Sequence, residues 1–377
     1  MRTELCDRFG IRYPIFVFTP SEKVAAAVTR AGGMGVLGCV RFNHPDDLEA
    51  VLCWMDDNTD GRPYGVDVVM PATVPTEGTS VDIGSLIPQA HRDFVTKTLA
   101  DLGVPPIPDD GTGNEAVLGW LHSVARSHVD VALGEGARHH RIGLIANALG
   151  SPPADVIEQA HTAGVPVAAL AGTPGHARRH AESGVDIVVA QGYEAGGHTG
   201  EIASLVLIPE VVDAVGETPV LAAGGIGSGR QVAAALALGA SGVWMGSAFL
   251  TAAEYDLGVR ADTDGPSVIQ QALLTATSSD TVRRRIYSGK PARLLRSRWT
   301  DAWDAEGAPE PLPMPLQNVL VSEAHQRMSQ SYDPTAVAMP VGQIVGRMNE
   351  IRPAADIIAE LVAGFDTAAR RLDAIRS

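Results

Sequence analysis

The sequence predicts a (β/α)8 TIM barrel with a smaller, mainly α-helical subdomain and a long insertion after the third strand. Short apolar runs, each followed by a helix-like segment, are typical of parallel strands that are buried on both faces. Eight such runs occur, at 14–18, 34–40, 64–70, 142–149, 166–172, 185–191, 219–225 and 242–249. A doubly wound open sheet is the alternative, but it rarely uses eight such evenly spaced units, so we prefer the barrel.

The segments between the runs have the end signals of helices. SEKVAAAVTRAG, PADVIEQAHTAG and GSGRQVAAALALGA are examples. Several segments begin near a Ser, Thr or Asp that can cap the free N–H groups, and several end at a Gly. We therefore assign residues 1–250 to the barrel.

Two long interruptions and the tail lie outside this alternation. Residues 71–114 make the connection after the third strand much longer than usual, and an amphipathic helix is predicted near 88–102. We expect this insertion to form a lid over the C-terminal mouth of the barrel. Residues 251–340 are predicted to form a helical subdomain, and 341–377 C-terminal helices that pack on the barrel.

The composition argues against several classes of partner. The chain has 377 residues, 29 of them basic and 44 acidic, with a net charge of −15. Such a surface repels nucleic acid and anionic membranes, so we expect neither as a partner. The N-terminus lacks the apolar stretch of a secretion signal, and no run is long enough to span a membrane. We expect a cytoplasmic protein, with a homodimer as the assembly to test.

The three cysteines do not suggest a disulfide framework or a metal centre. Cys6, Cys39 and Cys53 are widely spaced and form no CxxC pair. This usage suits a reducing compartment. We therefore expect all three to be small buried hydrophobic residues, and we predict no metal site.

The loops after the seventh and eighth strands are predicted to bind a phosphate group. AAGGIGSGR at 222–230 contains a glycine turn that continues into a helix, and WMGSAF places Gly246 and Ser247 at the end of the eighth strand. Backbone N–H groups in such turns, with a helix N-terminus, can hold a phosphate dianion without a lysine. TIM barrels commonly bind phosphate with these two loops.

The segment AQGYEAGGHTG, residues 190–200, supplies candidate side chains at the same rim. Gln191 ends the sixth strand, and its neutral amide can both donate and accept, as the edge of an isoalloxazine requires. His198 has an imidazole suited to taking or relaying a proton. Glu194 is expected to hold this glycine-rich loop by accepting from backbone N–H groups.

Other histidines are weaker candidates. His176 and His180 have a helical spacing compatible with a metal, but the motif lacks its glutamate and the helix belongs to the outer ring. We expect them on a solvated polar face. His139 and His140 precede the fourth strand, at the end of the barrel where residues serve stability.

Two blocks, AQGYEAGGHTGE and PVLAAGGIGSGRQVAAALALGASGVWMGSAFL, closely resemble the nitronate monooxygenase family, formerly called 2-nitropropane dioxygenases. The resemblance covers about residues 1–70 and 140–290. It implies an FMN-dependent (β/α)8 barrel that oxidises alkyl nitronates, such as propionate 3-nitronate, with O2. It also implies that His198 is the active-site base. The residues that it implies for binding the flavin ring and phosphate are Gln191, Gly196, Gly224, Gly225, Trp244, Met245, Gly246 and Ser247.

The chain departs from the family pattern in two places. Asp67 stands in GVDVVM where family members often have an asparagine beside the flavin, and we count it among the cofactor-binding residues. A carboxylate there would disfavour an anionic reduced flavin, or would stay protonated. The segment SGKPARLLRSRW, 288–299, is more basic than a small nitronate requires.

These departures leave other reactions open. Lys290, Arg293, Arg296 and Arg298 could attract the phosphates of coenzyme A, or they could pair with surface acids such as Asp301 and Asp304. An FMN-dependent enoyl-thioester reductase or acyl-CoA dehydrogenase, with an acyl thioester as substrate, is therefore the alternative function. A flavin-storing or sensory module is a third hypothesis, and the apparent base at His198 argues against it.

Overall fold

A computed structural model describes residues 1–70, 83–106, 119, 121–134, 140–260 and 265–376. Within these residues, parallel strands close into a barrel in the order β1-β2-β3-β4-β5-β6-β8-β9. The last barrel strand pairs with the first through Phe16 and Trp244, which completes the ring. The strands are β1 (Ile15–Thr19), β2 (Met34–Gly38), β3 (Tyr64–Val68), β4 (Ile142–Asn147), β5 (Val167–Ala171), β6 (Ile187–Gln191), β7 (Gly197–His198), β8 (Val220–Ala223), β9 (Gly242–Met245), β10 (Thr281–Arg284) and β11 (Ala292–Leu295).

The barrel prediction is confirmed, since each of the eight predicted apolar runs overlaps one barrel strand. Helices separate successive barrel strands. The α-helices of the described residues are α1 (Glu4–Phe9), α2 (Glu22–Arg30), α3 (Pro45–Asn58), α4 (Gln89–Asp101), α5 (His122–Leu133), α6 (Ala154–Thr162), α7 (Pro174–Glu182), α8 (Ser204–Val215), α9 (Gly229–Ala237), α10 (Val268–Leu274), α11 (Arg298–Trp303), α12 (Leu316–Gln330) and α13 (Ala354–Arg376). Of these, α2 to α9 lie between barrel strands, α1 precedes the first barrel strand, and α10 to α13 follow the last.

The barrel has an inner and an outer core, as the alternation of side chains along strands requires. The inner core contains Phe16, Met34, Leu144 and Trp244, and α1 contributes Leu5 to the same cluster. Outward-facing residues pack against the surrounding helices in separate clusters. The long α13 packs against α9 and α2 and so covers the outside of the barrel near its closure.

The described part of the connection between β3 and β4 contains two α-helices with different neighbours, α4 within the predicted insertion 71–114 and α5 after it. The helix α5 packs against β3, α3 and α6, in the place of the barrel's third helix. The helix α4, predicted near 88–102, instead shares a core with the residues that follow the last barrel strand. Its Val95 and Leu99 pack with Trp299, Trp303 and other residues of 286–338. Of the predicted lid, 71–82 and 107–114 lie outside the described residues.

The segment after β9 contains α10, α11, α12 and two strands. The strands β10 and β11 form an antiparallel sheet with the short β7, in the order β10-β11-β7. In this sheet His198 lies opposite Ala292, and Gly197 lies opposite Arg293. Because β7 belongs to the connection after β6, this sheet joins the barrel rim to the subdomain. The sequence did not predict it.

A search of the described residues finds no helix that is both long and apolar enough to cross a membrane.

Candidate active site

His198 lies on β7, at the C-terminal end of the barrel. Its neighbours include Tyr287, whose ring meets the imidazole edge-on at a centroid distance of 6.5 Å. The ring of Tyr287 in turn stacks on His325 at 4.8 Å. The subdomain therefore supplies one wall around the histidine. Sequence analysis did not predict this aromatic wall, because no local signal marks Tyr287 or His325.

Ser288 holds one nitrogen of this imidazole. Its Oγ lies 2.6 Å from Nε2 of His198. The backbone N–H of Lys290 also points to this Oγ, at 3.4 Å. Since Ser288 is buried, the contact to Nε2 is shielded from water. Nδ1 is then the nitrogen that remains for a reacting molecule.

The imidazole of His198 is unprotonated at neutral pH. Burial is the main cause that lowers its pKa to about 4, and the nearby charge of Lys290 contributes to the same shift. A neutral ring can accept a proton from a substrate, which is the state that a general base needs. A neutral ring has no positive charge with which to bind an anionic substrate.

Glu194 holds the glycine-rich loop, as the sequence suggested. Its carboxylate accepts hydrogen bonds from the backbone N–H and the hydroxyl of Ser204, both at 2.9 Å. Ser204 is the first residue of α8, so the carboxylate satisfies a free N–H at that helix N-terminus.

Gly196 lies at a close crossing with the segment 341–345. A Cβ on Gly196 would lie 2.7 Å from the backbone N of Gly342, and a Cβ on Gly342 would lie 2.7 Å from the O of Glu194. A hydrogen bond from the backbone N–H of Gln343 to the backbone O of Glu194, at 2.9 Å, stabilises the crossing. Gly196 thus has a packing role, and sequence analysis missed the crossing segment because its partners are far apart in the chain.

The same segment reaches the end of the last barrel strand. The N–H of Gly342 donates to Oγ of Ser247 at 2.8 Å. The hydroxyl of Ser247 keeps its own hydrogen for another acceptor. Gly246 lies beside β1, where an added Cβ would be 3.5 Å from the O of Phe18.

The turn after β8 has the backbone shape of an anion-binding loop. Gly224 and Gly225 both have positive φ, 93° and 70°, which other residues rarely adopt. The side chain of Gln231 stabilises this turn, since its Oε1 accepts from the N–H of Gly227 at 3.0 Å and its Nε2 donates to the O of Gly225. Successive N–H groups in such a turn can bind an anion.

The other predicted residues have different surroundings. Gln191 lies opposite Ala223 at the top of the sheet, and its amide makes no hydrogen bond within the described residues. Trp244 packs in the inner core of the barrel. Met245 packs in the outer core, so only its backbone could face a ligand at the rim.

Asp67 is a buried carboxyl in the upper part of the barrel. It lies opposite Gly38 of β2 and Ala146 of β4, and it is 1% exposed. Its Oδ1 has no hydrogen-bond partner among the described residues. Burial raises its pKa to about 8, so the carboxyl is largely protonated at neutral pH. A protonated carboxyl can donate as well as accept.

The basic segment is mostly engaged within the protein. Arg293 is buried, and its guanidinium donates to the backbone O of Tyr193 at 3.0 and 3.1 Å. Arg296 pairs with Asp301 at 2.9 Å, and Arg298 pairs with Asp333 at 3.0 Å. These arginines therefore hold the glycine-rich loop and the subdomain together.

Lys290 differs from those arginines. It is exposed, two residues from Ser288 in sequence, and it has no acidic partner in the described part of the chain. Its ammonium is therefore available to a ligand.

Two expectations about residues away from the rim are wrong. His180 is buried rather than solvated, because it faces the barrel: its ring nitrogens contact Oγ of Ser151 at 2.6 Å and the O of Leu170 at 3.0 Å. Cys53 is exposed rather than buried, since it lies on the outer face of α3, whereas Cys6 and Cys39 are buried as expected.

A cavity of about 530 Å³ lies at the opposite end of the barrel, among residues that include Pro63 and Pro166. Its charged side chains already pair with one another. Asp186 accepts from Arg8 and from His161, both at 2.8 Å. Among the described residues that line this cavity, no charged side chain is unpaired as Lys290 is.

Comparison with known proteins gives a consistent result. The family model for nitronate monooxygenase matches residues 2–364. The chain belongs to the nitronate monooxygenase family. It is 48% identical over 378 residues, 97% of this chain and 96% of the relative, to "Putative monooxygenase Rv1533" of Mycobacterium tuberculosis. It is 26% identical over 375 residues to "Probable nitronate monooxygenase" of Staphylococcus aureus, with 96% of each chain covered.

Solved structures of similar fold support this membership. Nitroalkane oxidase from Streptomyces ansochromogenes matches with a TM-score of 0.77 and 27% identity, over 97% of this chain and 99% of that chain. FabK from Thermotoga maritima matches with a TM-score of 0.73 and 26% identity, over 100% and 99%. As a member of the nitronate monooxygenase family, the protein is a flavin-dependent oxidoreductase.

The residues at the rim fit a flavin. A flavin needs polar groups along the edge of its ring and an anion site for its phosphate. The unpartnered Oδ1 of Asp67 and the free amide of Gln191 are polar groups of this kind. The positive-φ turn at Gly224 and Gly225 and the hydroxyl of Ser247 supply the features of an anion site. The rim therefore contains polar groups that have no hydrogen-bond partner among the described residues and could bind a flavin.

Replacing Asp67 by Asn should change how stability depends on pH in the flavin-free protein. The folded state holds the Asp67 proton up to about pH 8, whereas an unfolded carboxyl loses it near pH 4. Between these values the wild type therefore loses stability as pH rises, by at most about 1.4 kcal/mol per pH unit.

Thermal unfolding between pH 6.5 and 8.5 checks this, because the comparison of the two proteins cancels the contribution that His198 makes in both. The Asp67→Asn protein should lose less stability than the wild type over this range. Parallel curves for the two proteins would show that Asp67 is already ionised in the folded state.

Proposed function

We propose that the protein binds FMN and oxidises alkyl nitronates, such as propionate 3-nitronate, with O2 to a carbonyl compound and nitrite. The observation that carries the proposal is His198, a neutral imidazole fixed by Ser288 at the mouth of a barrel of the nitronate monooxygenase family. When bound, FMN would supply the electron-accepting chemistry and the reaction with O2. The protein itself binds and orients the substrate, handles its proton and excludes water.

We assign cofactor binding to the same residues that the sequence suggested. Some of them, however, would act through the backbone or through packing and not through their side chains. Gly224, Gly225 and Ser247 would hold the phosphate through backbone N–H groups and a hydroxyl. Asp67 and Gln191 would meet the ring with side-chain groups. The residues that would act only through backbone or packing are Gly196, Trp244, Met245 and Gly246.

We assign to Lys290 the role of attracting the negative charge of the substrate. A nitronate is an anion, and the neutral ring of His198 cannot balance that charge. Lys290 is the cation beside the histidine without an acidic partner in the described residues. We infer that it attracts anionic substrates, and above all those that also have a carboxylate, as propionate 3-nitronate does.

The alternative is an FMN-dependent enoyl-thioester reductase or acyl-CoA dehydrogenase. It would need a cationic surface for the phosphates of its acyl carrier. Three of the four basic residues proposed for that role, Arg293, Arg296 and Arg298, are engaged by the protein itself. The ammonium of Lys290, which remains, suits a small anion better than a large acyl carrier with several phosphates.

Gly225→Leu should remove the cofactor from the purified protein. The side chain would force a backbone with φ of 70° out of its conformation at the proposed phosphate site. Absorbance of the native protein and reconstitution with FMN measure the effect. Gly164→Leu is the matched control, because Gly164 has a φ of 74° and open space around it, away from the mouth. A Gly225→Leu protein that keeps its flavin would refute the assigned phosphate site.

Anaerobic addition of propionate 3-nitronate should bleach the flavin, and in air the same mixture should consume O2 and release nitrite. Reduced nicotinamide should not bleach it at a comparable rate. Lys290→Met should raise KM for propionate 3-nitronate at least tenfold and leave ethyl nitronate less affected, because only the former has a carboxylate. Rapid bleaching by reduced nicotinamide without reaction of either nitronate would move the assignment to the thioester reductase.

His198→Asn should affect a neutral nitroalkane far more than its nitronate. Removing the α-proton of the neutral form needs a base, which typically contributes about 10²–10⁴-fold, whereas the nitronate has already lost that proton. Activity of the wild type on the neutral form should also fall as pH decreases through about 4, where His198 becomes protonated. Steady-state kinetics on both forms measure this. An equal loss on both, or none, would exclude His198 as the base.

A further inference from the structure

A second cluster of chemically active side chains lies at the end of the barrel opposite to His198. Glu49 and Cys53 are one helical turn apart on α3, and His140 immediately precedes β4. One ligand atom from each of these three residues lies within 4.8 Å of the others. The Nε2 of His140 is 3.0 Å from Oε2 of Glu49, and the Sγ of Cys53 is 3.8 Å from Oε1 of Glu49.

The other nitrogen of His140 is fixed by a carboxylate. Its Nδ1 lies 2.6 Å from Oδ2 of Asp56. The Oδ1 of Asp56 accepts from the hydroxyl of Tyr64 at 3.1 Å and from the N–H of Arg141 at 3.0 Å, so this carboxylate is held on both sides. A carboxylate on one imidazole nitrogen orients the ring and makes the other nitrogen a better metal ligand.

The Nε2 of His140 and the Oε2 of Glu49 lie close enough together to bind one cation between them. If Nδ1 gives its proton to the Asp56 contact, a neutral ring presents the bare lone pair of Nε2 to a carboxylate oxygen 3.0 Å away. Such a contact is repulsive unless a cation lies between the two atoms. A metal ion at this point would be bound by both atoms.

The thiol of Cys53 is the feature that favours a metal, because it places a third ligand atom within 4.8 Å of the other two. We propose that Glu49, Cys53 and His140 bind a divalent transition-metal ion, with Zn²⁺ as the best match. Thiolate, imidazole and carboxylate are the ligand types of zinc sites, and three protein ligands leave a fourth position for water. This proposal differs from the sequence prediction of no metal site, which stays untested.

Binding would exchange a proton for the metal. Burial and the nearby Glu49 raise the pKa of the Cys53 thiol, so the thiol is protonated when no metal is bound. The ion would displace this proton into solvent, and affinity should therefore increase with pH. The ion would also tie α3 to the segment before β4, far from the reacting groups at the mouth. The site is therefore structural, and it does not depend on the proposed function.

The test is equilibrium dialysis of the chelator-treated, flavin-containing protein against Zn²⁺. We expect one ion per chain, and at least a tenfold loss of affinity in Cys53→Ser and in His140→Gln. His161→Gln is the matched control. His161 also contacts a carboxylate at the same end of the barrel, but it does not belong to the group of Glu49, Cys53 and His140. It should bind Zn²⁺ as the wild type does.

Zinc X-ray absorption identifies the ligands directly and is not disturbed by flavin absorbance. One sulfur at about 2.3 Å, with nitrogen and oxygen at about 2.0–2.2 Å, is expected. Because Cys53 is exposed, the Cys53→Ser variant should fold normally. If His140→Gln does not fold, Cys53→Ser alone tests whether the site binds zinc. Equal Zn²⁺ affinity in wild type and Cys53→Ser, or a zinc shell without sulfur, would overturn the proposal.

Discussion

The candidate active site depends on one close backbone crossing. Gly196 and Gly342 approach each other so closely that a Cβ on either would meet the other strand of chain at 2.7 Å. From this crossing the chain runs in one direction to His198 on β7 and in the other to the contact with Ser247. The crossing therefore sets the position of the proposed base relative to the proposed phosphate loop.

Burial controls the charge of the site more than ion pairing does. His198 is held neutral and Asp67 is held largely protonated, in both cases chiefly because burial disfavours the charged form. The arginines nearby do not compensate, since Arg293 is used to hold the backbone of Tyr193. An exposed lysine then becomes the main source of positive charge near the imidazole. This explains how a chain with a net charge of −15 can still attract an anion at one point.

Much of the fold was predictable because the strand signals are local. Each barrel strand is a short apolar run, and the glycine turns at its C-terminal end are adjacent in sequence. The role of Glu194 was also predictable, because its partner Ser204 lies in the same connection. The sheet that contains His198 was not, because β7 is only a dipeptide and its pairing with β11 spans almost a hundred residues. Such pairing leaves no periodic signal in so short a strand.

The sequence by itself determined the barrel, the location of the rim loops and the kinds of side chain that they contain. The tertiary structure decided which of those side chains are available. Arg293, Arg296 and Lys290 look alike in the sequence, but only the lysine lacks an acidic or backbone partner for its charged group in the described residues. Likewise Cys53 and His140 become neighbours only in the fold, which places α3 beside the residue His140 that precedes β4. The physical reason is that burial and pairing depend on contacts between distant segments, whereas strand and turn formation depend mainly on neighbouring residues.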